Sequence, residues 1–273
     1  MNLLSILSDV KTIFSRSLII GVTTASLSSI ALAQENPLIV EADESLQWLR
    51  AENKYVATGN ASAEQGDLRL VANVIIADYE AETSTQGDYD ASVVTFVEGQ
   101  GNATLTRATL KATAGNITYN IMDEYIELKG NNPTVINGDD RMRAETIITY
   151  NRKTRQITAN GNASVILSNG QTLLGDAITV TLNAEESDID TVLAQGNAVV
   201  ISPSETGERR AEAQEMNYTR ATGLAIMTGA VTLKDNNNIM TGDRAEIDTG
   251  TGISTMKSLT KGQRVGGVFN PAQ

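Results

Sequence analysis

At 273 residues, with a net charge of −12 and neither cysteine nor histidine, the chain lacks the side chains on which many enzymes depend. Without cysteine there is no disulfide framework and no thiolate; without histidine the usual general base and metal ligand are gone, and with them any Ser-His-Asp or Cys-His site. The acidic balance argues against a nucleic-acid partner and serves solubility.

Along the chain, Lys11 and Arg16 precede an apolar run from Leu18 to Ile30 that closes on Ala31-Leu32-Ala33. A basic flank, a short apolar core and an A-x-A ending mark a secretory signal peptide, with cleavage expected after Ala33. The run falls short of the ~20 apolar residues that a membrane span needs. The division expected is a signal peptide at 1–33 and a single exported domain at 34–273.

From there a two-part unit recurs. Its first part, GNA or a near relative, stands at Gly59, Gly101, Gly161 and Gly196, with degenerate copies at Gly130, Gly229 and Gly262. Its second part is seen in AETIITY (144–150), GDAITVTL (175–182) and AEAQEMNY (211–218), and EADESLQW (41–48) opens the series. Around each glycine, positions two and four residues away on both sides are apolar or small, as in Ile157, Ala159, Ala163 and Val165. The residues between are mostly polar, which is the two-residue period of a strand with one buried face. On this reading the glycine also faces inward, at a corner where the strand bends from one sheet into another.

The connections decide how such strands pair. Ser168-Asn169-Gly170-Gln171 is a tight hairpin signal, read as a type I′ turn, and Gln65-Gly66-Asp67, Asn137-Gly138-Asp139 and Asp235 to Asn238 hold the equivalent place elsewhere. Short turns reverse a strand, whereas parallel neighbours need long crossovers. The fold class expected is therefore all-β, an antiparallel repetitive jelly roll of about 14 strands with an open-ended groove. A parallel β-helix is the alternative, since it is also built on repeats of this size. Residues 81–90 read as a longer polar insertion.

Shared parity places Ile148, Val165, Leu182, Val200, Met216 and Leu233 on the inner face. The inner positions beside each glycine are mostly alanine, which either leaves room between two sheets or lets them approach closely. At the ends, Leu38 to Trp48 and Arg264 to Phe269 read as edge strands, with Ile39, Val40, Val265, Val268 and Phe269 offering unpaired backbone groups to a partner. Carboxylate pairs at Asp139/Asp140, Glu185/Glu186 and Asp188/Asp190 fit an exported polysaccharide-acting enzyme, but all lie in turns where acidic residues solvate and shape the chain. Asp235 to Asn238 has residue types suited to calcium without a recognised spacing. A surface adhesin or structural β-solenoid would share the repeats but not the tight hairpins. No catalytic residue, cofactor or metal is expected.

The signal peptide followed by IVEADESLQW and YVATGNASAEQGDLRLVAN, together with the closing KGQRVGGVFNPAQ (261–273), resembles the OstA-like (LptA) family of periplasmic lipopolysaccharide-transport proteins. The resemblance implies a bridge without chemistry, carrying lipopolysaccharide from an inner-membrane exporter to an outer-membrane translocon. It further implies lipid A acyl chains held inside the roll, here against the six inner residues named above. Protomers are expected to join head to tail through their terminal strands.

Overall fold

The computed structural model describes residues 38–81, 92–185, 189–204, 207–235, 238–249, 251, 253–259 and 264–269. The expected signal peptide and most of the expected insertion lie outside the described residues. Within them the chain forms one antiparallel sheet of eighteen strands. These are β1 (Ile39–Glu41), β2 (Ser45–Leu49), β3 (Lys54–Gln65), β4 (Leu68–Ala81), β5 (Ser92–Arg107) and β6 (Leu110–Asn120). β7 (Tyr125–Lys129), β8 (Thr134–Asn137), β9 (Asp140–Arg143), β10 (Ile147–Asn151), β11 (Gln156–Ile166) and β12 (Thr172–Leu182) follow. The last are β13 (Ile189–Ser204), β14 (Gly207–Thr219), β15 (Leu224–Asp235), β16 (Asn238–Asp248), β17 (Ser254–Lys257) and β18 (Gly266–Val268).

The sheet is a meander in which each rung spans two half-sheets. β3 carries β2 on its first half and β1 on its second. In the same way β6 carries β7 and β8, β11 carries β10 and β9, and β16 carries β17 and β18. Four rungs are thus split into two strands each, so the eighteen strands make fourteen rungs. Every pairing is antiparallel, as the hairpin signals require, and the parallel β-helix is overturned.

On five rungs, β3, β5, β11, β13 and β15, the bend is a β-bulge. On β11, Asn160 pairs with Ala177 and Ala163 with Gly175, so Gly161 and Asn162 together oppose Asp176 alone. Both have positive φ, 86° and 42°, and the same paired conformation recurs at Gly59-Asn60, Gly101-Asn102, Gly196-Asn197 and Gly229-Ala230. Inner side chains therefore fall four residues apart across the glycine, from Ala159 to Ala163. On the next rung they fall three apart, from Gly175 to Ile178. The expectation that the glycine faces inward is corrected. A side chain at Gly161 would collide with Thr146, at Gly196 with Asp176, and at Gly59 with Glu44, all exposed residues of the outer surface. Two successive left-handed residues turn the glycine out of the alternation that parity assumes.

The hairpin between β11 and β12 also differs in detail. Among its residues only Gly170 has positive φ, 83°, whereas a type I′ turn needs it at both central positions. The Gly170 amide donates to the Leu167 carbonyl at 2.9 Å, and the Asp140 carboxylate accepts the Ser168 amide at 2.6 Å. The turn is thus held by a neighbouring hairpin as well as by its own sequence. The two half-sheets close on a single apolar cluster that takes side chains from both, including Ile178 and Val192 from one and Val165 and Leu173 from the other. Of the two roles open to the inner alanines, close approach is the one adopted: Ala61, Ala103, Ala163 and Ala198 are all buried.

Candidate functional site

The inner face is organised by register. Across the first half-sheet, directly opposed residues form one row from Leu46 through Ala57, Ile117, Ile148, Ile178 and Met216 to Met256. Across the second, a row runs from Val40 through Leu70, Val135, Val165, Val200 and Leu233 to Gly267. Each row takes one residue from every rung, and no member carries a polar side chain. Two unbroken apolar tracks thus run the length of the sheet, perpendicular to its strands.

The six inner residues singled out in the sequence sit on or beside these tracks. Val165, Val200 and Leu233 belong to the second row, Ile148 and Met216 to the first, and Leu182 packs nearer the rim opposite Ile189. Ile148, Val165, Leu182 and Met216 are buried in the shared core, while Val200 and Leu233 are half-buried against it. No ladder pairing joins the half-sheets except through the bulged corners, so what holds them together elsewhere is contact between side chains. Tyr119, on the same face, has its hydroxyl pKa raised, first by burial and then by nearby Glu124.

Both ends of the tracks are open. Among the described residues no strand pairs with the outer edges of β1 and β2 or of β17 and β18. Ile39 and Val40 lie in β1 and Val268 in β18, while Val265 and Phe269 flank β18, which is shorter than the expected strand from Arg264 to Phe269. Leu38, Ile39, Leu46 and Trp48 are exposed at one end, and Ile253, Leu259, Val265, Val268 and Phe269 at the other. Sequence reasoning did not find the cluster behind the first edge. There Trp48 stacks on Tyr55 at 5.8 Å, donates its indole N–H to the Tyr79 hydroxyl at 2.9 Å, and carries the Arg50 guanidinium 3.9 Å above its ring. Its one available signal was that Trp48 is the sole tryptophan. The last rung is tied down by charge, since the Lys257 ammonium on β17 donates to Glu246 at 2.7 Å and, with Arg244, holds that carboxyl below its ordinary range.

The acidic positions do other work. Asp140 is buried in the β8–β9 hairpin and caps the Ser168 turn, whereas Asp139, Glu185 and Asp190 are exposed. Glu186 and Asp188 lie outside the described residues. Asp235 pairs with the Arg209 guanidinium at 3.1 Å, and Asn236 and Asn237 are not among the described residues.

Against known proteins, a family model described as LptA/(LptD N-terminal domain) LPS transport protein matches the chain twice, over residues 40–156 and 148–253. Among solved structures, the chain is similar to a crystal structure of LptH, the LptA homologous periplasmic component of the lipopolysaccharide transport device from Pseudomonas aeruginosa. That similarity has 16% sequence identity and a TM-score of 0.42, and covers 48% of this chain and 95% of the other. No curated protein matches the chain.

Proposed function

The chain belongs to the family of LptA and LptD N-terminal-domain lipopolysaccharide-transport proteins, and from that premise we infer that it is a periplasmic bridge. In this reading the signal peptide exports it, and its inner face holds the lipid A acyl chains. The two edges receive an inner-membrane exporter component, a second copy and an outer-membrane translocon. The observation that supports this most is the pair of apolar tracks, which cross all fourteen rungs and open at both ends. An acyl chain moving along them exchanges one apolar contact for another, and each CH₂ kept from water is worth ~0.8 kcal/mol. Because the half-sheets are joined through the corners alone, a chain enters by prising apart side-chain contacts without breaking a ladder hydrogen bond.

A photo-reactive benzoylphenylalanine tests the assignment of faces. At Val200 or Leu233, half-buried on the inner row, it is expected to capture lipopolysaccharide in cells. At Val199 or Thr232, on the opposite parity, it should not. Equal capture from the two faces, or capture from the outer one alone, contradicts the reading.

A further inference from the structure

The two tracks do not stay alike along their length. The first is buried on every rung from Ala57 on β3 to Ala245 on β16. The second has its longest buried run in the middle, at Met142, Val165 and Leu173 on three successive rungs. Beyond it Val200, Ala211, Leu233 and Met240 are half-buried, and Gly267 ends the row exposed. The last five rungs, β13 to β17–β18, thus leave one wall of the interior uncovered.

The composition changes at the same place. Four of the seven methionines, Met216, Met227, Met240 and Met256, stand on the tracks within these rungs. Met216 opposes Met227 on the first track, where Ile117 opposes Leu128 six rungs earlier. All four members of these two pairs are buried, so burial does not account for the change. Isoleucine is favoured in strands, and methionine specifies a single packing poorly. Its distinguishing property is an unbranched side chain with three rotatable bonds, which re-packs around whatever lies beside it. Glycine makes way for one of these side chains: a Cβ at Gly242 would stand 2.8 Å from the Met256 sulfur.

The shape of the section fits one kind of guest. Five rungs at ~4.8 Å a step give a straight strip about 19 Å long. The track side chains along it are all apolar, so they offer no hydrogen bond to a sugar or a phosphate. A single extended acyl chain matches both its length and its chemistry.

We propose that an acyl chain of the lipopolysaccharide cargo lodges in these last five rungs, against Met216, Met227, Met240 and Met256, whose side chains re-pack to admit it. This rests on the inner face holding acyl chains, as inferred above, and states where along that face the resident chain lies.

The methionines themselves report the contact. Residues 34–273, isotope-labelled in the methionine methyl groups and with each signal assigned from a single methionine-to-leucine variant, are loaded with intact lipopolysaccharide and freed of excess by gel filtration. Native mass spectrometry verifies the adduct. Nuclear Overhauser transfer from acyl methylene protons is expected at the methyls of Met216, Met227, Met240 and Met256. It should be at least threefold weaker at Met142, in the buried middle, and at Met122, exposed in the turn between β6 and β7. Equal transfer to Met142 spreads the chain along the whole track and overturns the location. Transfer from a phosphatidylethanolamine of the same chain length, with none from lipopolysaccharide, overturns the guest. An adduct without transfer to the four methyls overturns the proposal but leaves lipopolysaccharide binding standing, and no adduct at all overturns both. The chain carrying Met216→Leu, Met227→Leu, Met240→Leu and Met256→Leu keeps side-chain volume. At an unchanged urea midpoint it is expected to form at least threefold less adduct; an undiminished adduct overturns the part given to methionine.

Discussion

The repeated Gly-Asn pair is best explained one residue at a time. Glycine is needed because a Cβ there would collide with the outer side chain of the neighbouring strand as well as meet the positive φ. Asparagine tolerates the left-handed region and uses its amide outside the sheet: Asn162 donates to Glu145 at 2.8 Å and Asn197 to Asp176 at 3.2 Å. At the fifth such corner the residue is Ala230, exposed and left-handed at φ 50°, with no side-chain group to compensate. Ala230→Asn is expected to stabilise the protein by about 0.5–1 kcal/mol, and Asn162→Ala to destabilise it by about 1 kcal/mol. Urea midpoints that move in these opposite senses at constant slope check both; a loss of stability on Ala230→Asn contradicts the role given to the asparagine. The corner itself was legible in the sequence as a recurring small motif. Its direction was not, because parity counting has no place for two residues set against one.

Whether an apolar residue is core or surface depends, at the level of the element, on whether its rung has two neighbours. Leu46 and Ile148 occupy the same repeat position on β2 and β10, but among the described residues only the second is covered. Ile148→Ala should cost about 2–5 kcal/mol, as a large-to-small change in a closed core does. Leu46→Ala should cost less than about 0.5 kcal/mol at dilutions where the protein is monomeric. Thermal or urea unfolding of the two variants reads the difference, and similar losses would mean that the first rung is covered in the free protein. Strand existence was plain from period-two alternation in segments such as Ile157 to Val165, and turn signals such as Asn137-Gly138 gave the antiparallel order. The splitting of the rungs at 42–44 and 144–146 was hidden, because these residues leave the regular ladder yet still bond to the next rung, Asp43 to the Gly59 carbonyl and Glu145 to that of Gly161.

At the scale of the whole molecule, fourteen rungs at ~4.8 Å each give a sheet about 65 Å long, traversed by two rows of apolar side chains. The six inner residues were found from parity alone because each strand declares which face it buries. That five of them line up across strands, with Leu182 nearer the rim, needed the register, which the bulges shift by one. The filled interior was likewise illegible, since an alanine reads the same whether it leaves a gap or closes one. On the proposed function, the tracks would hold the acyl chains and not the sugar or phosphate part of the cargo. Native mass spectrometry of residues 34–273, mixed with intact lipopolysaccharide or with the same material stripped of its acyl chains, tests this directly. A lipopolysaccharide adduct with the intact form and none with the deacylated form is the result expected; equal adducts with both, or none with either, would contradict it.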